Sequence, residues 1–271
     1  TSKLQDERGL EAIGTLGFRG EALAAIASVS RIELLTKESC APHGTRLFLE
    51  GGQVAEKAEA GCPDGTTITV CDLFYNTPAR LKFIKNDKAE GASISSVVLR
   101  SALSHPEVSV KYVKDGKEEF QTAGDSRADS CIYTLFGREF FSGLVNVAGE
   151  SENISVKGYV SSPAHVRGNR SHQFFYLNGR FIKSKTLQAA LEQAYKNSLF
   201  AGRFPSCILY LSISPSAVDV NVHPTKTEVK FLNEREVFSA VYYAVLSALA
   251  QDEKKAEIHL SSSHNPSFSE P

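Results

Sequence analysis

Strand-patterned runs closed by turn signals alternate with helix-patterned segments along the whole 271-residue chain. That alternation places the fold among the mixed α and β classes. Residues 31–36 and 45–49 read as strands joined by a turn-rich loop, and Glu50-Gly51-Gly52 is a hairpin turn signal. Residues 66–70 alternate polar and apolar side chains, as a half-buried strand does. Asn76-Thr77-Pro78 opens a helix with proline at an early position, and a longer helix is predicted over 88–103. Val108, Val110 and Tyr112 share a strand face that Asp115-Gly116 turns. The polar stretch 124–128 is the predicted domain boundary. The second half repeats the mix, with helices over 129–136, 186–195 and 234–250 and strands over 154–160, 172–177, 207–213 and 218–222. Asn178-Gly179 is a tight-turn signal. The resulting expectation is two domains, 1–124 and 125–250, with the charged and then Ser/Asn/Pro-rich segment 251–271 starting a disordered linker.

At 42% hydrophobic and 23% charged residues, the composition suits a soluble globular protein. No apolar run reaches the roughly 18 residues that a membrane helix needs, and the first residues form no signal peptide. The five cysteines, Cys40, Cys62, Cys71, Cys131 and Cys207, are odd in number, and no two have CxxC spacing. This argues against a metal site or a disulfide framework and for free thiols in a reducing cytoplasm. Methionine is absent. Either removal of an initiator or a chain cut at both ends would account for that.

Net charge is −1, so no global basic signature exists, but the distribution is uneven. Residues 153–191 contain no Asp or Glu, yet hold Lys157, Arg167, Arg170, Arg180, Lys183, Lys185, His165 and His172. A local positive face binds phosphate backbones even on a neutral protein. The same stretch is also compatible with a solvated surface of chance asymmetry.

Three further segments carry possible chemistry. Gly17-Phe18-Arg19-Gly20 precedes the Ala/Leu-rich helix pattern that starts at Glu21-Ala22-Leu23. Helix-opening amides have no intrahelical partner and carry partial positive charge, so they suit a nucleotide's phosphates. The spacing matches neither GxGxxG nor GxxxxGK[ST], and a plain turn before a helix stays open. In Gly65-Thr66-Thr67-Ile68, a Thr hydroxyl on a strand could bond an adenine edge, or the run is simply a strand. In Asn221-Val222-His223-Pro224-Thr225-Lys226, proline ends the strand and Lys226 projects from the turn, as a phosphate ligand or as an ordinary surface lysine.

Taken together, Thr1-Ser2-Lys3, LGFRGEAL (16–23), GTTITVCDLFYNTPARLKF (65–83), FFYLNGR (174–180) and VDVNVHPTKTEVKF (218–231) resemble the MutL family of DNA mismatch-repair proteins, in the family's order. The resemblance implies a GHKL ATPase, akin to gyrase B, Hsp90 and histidine kinases. The implied fold is two-domain α/β: part of a Bergerat ATP-binding sandwich, then a domain like ribosomal protein S5 domain 2. Thr1, Ser2 and Lys3 would be the lid near the nucleotide. Arg19, Gly20, Glu21, Ala22 and Leu23 would form the phosphate-binding turn and helix start, and Thr66 would lie near adenine. Lys226 would act catalytically on the γ-phosphate. Arg180 matches a family arginine implicated in DNA binding, with Arg167, Arg170, Lys183 and Lys185 beside it in the acid-free stretch.

The implied cofactors are ATP and Mg²⁺. The family's general-base Glu, Mg²⁺-ligand Asn and Asp-x-Gly-x-Gly motif precede the lid, so a piece of a compact bacterial form, inactive alone, is the expectation. The implied partners are DNA, the mismatch-recognition protein MutS, a downstream helicase or sliding clamp, and a second copy in a homodimer. No membrane association is expected, and the location would be cytoplasmic, at the nucleoid. Two rivals remain: a type II topoisomerase B subunit, and a DNA- and partner-binding platform without catalysis.

Overall fold

The computed structural model describes residues 21–219 and 227–262, with side chains followed through Lys254. The described residues form two compact units, divided between Ala92 and Ser93.

The first unit holds an antiparallel four-stranded sheet: β1 (Arg31–Lys37), β2 (Gly44–Glu50), β3 (Gln53–Ala60) and β4 (Gly65–Cys71), in the order β3-β2-β1-β4. The β2–β3 turn uses Gly51 and Gly52 at φ 56° and 84°, values open to glycine at little cost. The predicted alternation over 66–70 gives a strand but no half-burial. β4 ends the sheet and is exposed along its whole length, including Ile68 and Val70. A short helix, α1 (Ala22–Ala27), precedes β1, and a single turn, α2 (Pro78–Leu81), carries its proline at the start as expected.

Next in the chain are α3 (Asp87–Ser104), the hairpin β5 (Lys111–Lys114) and β6 (Lys117–Gln121), and α4 (Ala128–Ser142). Gly137, at φ 81°, breaks α4, so the predicted helix over 129–136 ends where a left-handed residue stops it. Then come β7 (Leu144–Glu150), β8 (Ile154–Ser161), β9 (Gln173–Leu177) and β10 (Arg180–Ile182). After them follow α5 (Lys185–Ala194), β11 (Cys207–Ile213), β12 (Val218–Asp219), β13 (Lys230–Phe231) and α6 (Glu234–Ser262). The main sheet runs β10-β9-β11-β8-β7, with β9 and β11 parallel and the other pairs antiparallel.

Both faces of this sheet are covered, which is why all five residues of β9 are buried. On one face Phe175, Leu177 and Leu209 pack with Leu187 and Leu191 of α5 and Val241 and Val245 of α6. On the other, Phe174, Tyr176 and Ile208 pack with Leu103 of α3 and Cys131 and Ile132 of α4. The Tyr176 and Tyr210 hydroxyls donate to the Arg100 and Leu103 carbonyls at 3.1 and 2.8 Å, satisfying acceptors in the last turn of α3. This packing draws the C-terminal half of α3 into the second unit. The division of compact units therefore lies upstream of the polar 124–128 stretch. The linker expectation also differs: α6 continues through Ser262, since Lys, Glu and Ala after Gln251 are good helix formers.

Candidate nucleotide and nucleic-acid sites

Thr1, Ser2, Lys3, Arg19, Gly20 and Lys226 lie outside the described residues. Of the expected nucleotide contacts, Glu21, Ala22, Leu23 and Thr66 are described. Glu21 caps α1 with its backbone: its carbonyl accepts from Ala25 N at 2.9 Å, and its exposed side chain makes no capping bond. The amides of Ala22 and Leu23 precede the first bond of the helix and have no acceptor within it. Thr66 is exposed on β4, and its hydroxyl shares a 2.8 Å hydrogen bond with that of Thr36 on β1.

The motif after β4 has a visible structural task. Arg31 binds Glu50 at 2.9 Å and Asp72 at 2.8 Å and lies 4.3 Å from the Tyr75 ring centroid. Phe74 N donates to Val29 O at 2.7 Å, and Asn76 Nδ2 donates to Ser28 O at 2.9 Å. Asp72 and Phe74 hold positive φ to make this path. The segment is thereby tied back to the exit of α1. Sequence reading did not single out Arg31; its hint was three opposite-charge residues at strand ends.

In the second unit the acid-free stretch divides sharply. Arg170 grips Glu192 of α5 through two bonds, 2.6 and 3.0 Å, and lies 4.1 Å from the Phe204 ring centroid. The Arg170 hydrogen bonds, the larger influence, hold the Glu192 carboxyl below its ordinary range. Arg167 is exposed, with its guanidinium 5.7 Å from the Phe140 ring centroid. Arg180 opens β10 after a turn pinned by Asn178, which exchanges bonds of 2.8 and 3.0 Å with Ile213. Half-buried there, its guanidinium is drawn below its usual range by burial.

Lys183 and Lys185 are exposed on either side of Ser184, which caps α5 by accepting from Leu187 N at 3.3 Å. Neither ammonium belongs to an ion pair among the described residues. Lys183 N donates to Thr227 O at 2.7 Å, so this basic corner is fastened to the segment that resumes directly after Lys226. Among the described residues no group of three or more His, Cys, Asp or Glu forms a metal-binding cluster, and no helix is long and apolar enough to cross a membrane.

Residues 132–250 match the family model described as "DNA mismatch repair protein, C-terminal domain". The chain is 47% identical over 249 residues to the DNA mismatch repair protein MutL of Thermoanaerobacter pseudethanolicus strain ATCC 33223, covering 92% of this chain and 41% of that protein. It thus spans about two fifths of the length of that relative. A crystal structure of the N-terminal domain of a DNA repair protein superposes with a TM-score of 0.74 at 26% identity, covering 92% of this chain and 83% of that one. The Aquifex aeolicus MutL ATPase domain complexed with ADP superposes with a TM-score of 0.61 at 22% identity, over 87% and 80% of the two chains, which bears on the fold alone. Over the region it shares with these relatives, the chain belongs to the MutL family of DNA mismatch-repair proteins.

Proposed function

We propose that the whole protein binds and hydrolyses ATP and uses the nucleotide to control its grip on DNA in mismatch repair. In this reading residues 1–124 supply the later part of the ATPase domain and 125–250 the domain that follows. The amides at the start of α1, with Arg19 and Gly20, hold phosphates, and Thr66 serves the base. Lys226 brings positive charge to the γ-phosphate, where phosphoryl transfer concentrates negative charge. The general base and the Mg²⁺ ligand come from residues upstream of Thr1. The clamp is a homodimer, acting in the cytoplasm between a mismatch-recognition protein and a helicase or sliding clamp.

One observation carries the coupling: the 2.7 Å bond from Lys183 N to Thr227 O fastens the basic corner to the chain segment bearing Lys226. A change felt by that segment on nucleotide binding therefore has a short covalent and hydrogen-bonded route to the DNA-facing lysines. The test is a turnover assay on the 271-residue chain and on the full-length protein. Little or no hydrolysis by the chain, and hydrolysis by the full protein that Lys226→Ala abolishes, is the expected result. Robust hydrolysis by the chain alone, lost on Lys226→Ala, would overturn the division of the active site.

A further inference from the structure

A cavity of about 390 Å³ opens in the second unit, away from Lys183 and Lys185 in sequence and built from other elements. That volume lies within the roughly 300–1,000 Å³ of small-molecule sites. Two groups of rings line it. Tyr112 and Phe120 come from the β5–β6 hairpin, with centroids 5.6 Å apart. Phe136 of α4, Phe174 of β9 and His172 form the other group, Phe136 lying 5.8 Å from each of the other two. Glu119, at an exposed position of the same hairpin, is also a lining residue.

The charges narrow the occupant. Arg167 lies outside the lining, but its guanidinium is 5.7 Å from the Phe140 ring, which is 5.7 Å from His172 at the cavity wall. Burial first, and then the charge of Arg167, lower the His172 value and disfavour an imidazolium there. A neutral imidazole stacks like the other rings. A purely apolar ligand would leave the Glu119 carboxylate unused, and a simple cation would meet Arg167. One ligand chemistry satisfies the set: a flat ring to stack, an amino group for Glu119 and an anion for Arg167.

We propose that this cavity binds an unstacked nucleobase bearing an exocyclic amino group, with its phosphate against Arg167. The inference deepens the DNA reading above and rests on it for the source of the ligand. The base slides among Tyr112, Phe136 and His172, and its amino group donates to Glu119. Thymine, which lacks that group, stacks without the second contact. Cytosine, adenine and guanine, which all carry that group, are the preferred occupants, as free nucleotides or within a single strand.

The test measures binding of the 271-residue chain to labelled dC, dA and dT oligomers and to duplex at one salt concentration. Titration with CMP and AMP, followed by NMR, runs beside it. Wild type is expected to bind dC and dA oligomers roughly 5-fold or more tighter than dT, the scale of one good base contact. Glu119→Ala, at an exposed position, removes that preference. His172→Leu, which keeps apolar bulk, weakens all single strands and leaves duplex binding intact. CMP or AMP binding with the same sensitivities assigns the pocket to free nucleotides, and binding of oligomers alone assigns it to single strands; either upholds it. Equal affinity for dC, dA and dT, unmoved by Glu119→Ala and His172→Leu while duplex still binds, overturns the pocket alone. Failure of wild type to bind any DNA strikes the underlying reading instead.

Discussion

Replacing Lys183 and Lys185 together by alanine tests which basic residues contact DNA and which serve the fold. Both ammoniums are exposed and outside the ion pairs of the described residues, whereas Arg170 is held by Glu192 and Phe204. Each phosphate neutralised by a lysine contributes about 0.9 to the slope of log K against log salt on duplex DNA. Two such contacts account for a slope of about 1.8, which is about 60-fold in affinity at 0.1 M monovalent salt on the 1 M scale. Arg170→Ala releases no counterions, because its charge is already matched. The assay is fluorescence anisotropy of a labelled duplex across a salt series, for wild type, the double variant and Arg170→Ala. The double variant is expected to lose about 1.8 of slope, and Arg170→Ala to keep the wild-type slope while unfolding at lower temperature. An unchanged slope in the double variant, or an equal loss in Arg170→Ala, would refute the assignment.

Other consequences follow from the same packing. Leu191 of α5 is fully buried against the main sheet. Leu191→Ala should cost about 2–5 kcal/mol and lower the thermal midpoint by about 4–20 °C, read by calorimetry. The depressed Glu192 carboxyl means that the unfolded chain binds the proton more readily than the folded one. Its contribution to stability is therefore full above the ordinary value of 4.5 and is lost as pH falls through the lower folded value. Glu192→Gln should flatten the stability profile in that acidic window, and denaturant titrations that stay parallel to wild type below pH 4.5 would contradict the Arg170–Glu192 pair as its source. Cys40 and Cys71 are exposed, whereas Cys131 and Cys207 are buried and burial raises both thiols, Cys131 to about 11. A thiol reagent at neutral pH should label Cys40 and Cys71 rapidly and reach Cys131 and Cys207 only on unfolding. Rapid native labelling of Cys207 would show that the face covered by α5 and α6 opens easily.

Local chemistry was readable wherever it alone decides the backbone. Gly51-Gly52, Asp115-Gly116 and Asn178-Gly179 turn as expected because few residues tolerate positive φ, and all six adopt it. The period of Leu187, Ala190, Leu191 and Ala194 gave α5, since its buried face is one stripe. Strand β3 escaped notice because Gln53–Ala60 is rich in Ala, Glu and Lys, which favour helix; pairing with β2 overrides them.

The acid-free stretch shows why a linear count of charge is a poor map of a charged surface. The count over 153–191 ends one residue before Glu192, and that residue is the one that neutralises Arg170. Helix α5 brings it back across 22 positions, because its stripe of Leu187, Ala190, Leu191 and Ala194 must face the sheet and leaves Glu192 at the border of that stripe. Arg170 lies in the connection leading into β9, the strand next to β11 at the centre of that sheet, so the same burial that orients α5 delivers the carboxylate to the guanidinium. Lys183 and Lys185, exposed on either side of the Ser184 cap of α5, have no such carboxylate among the described residues. The packing of α5 thus takes Arg170 out of the free positive charge of this stretch and leaves the lysines at its own start in it.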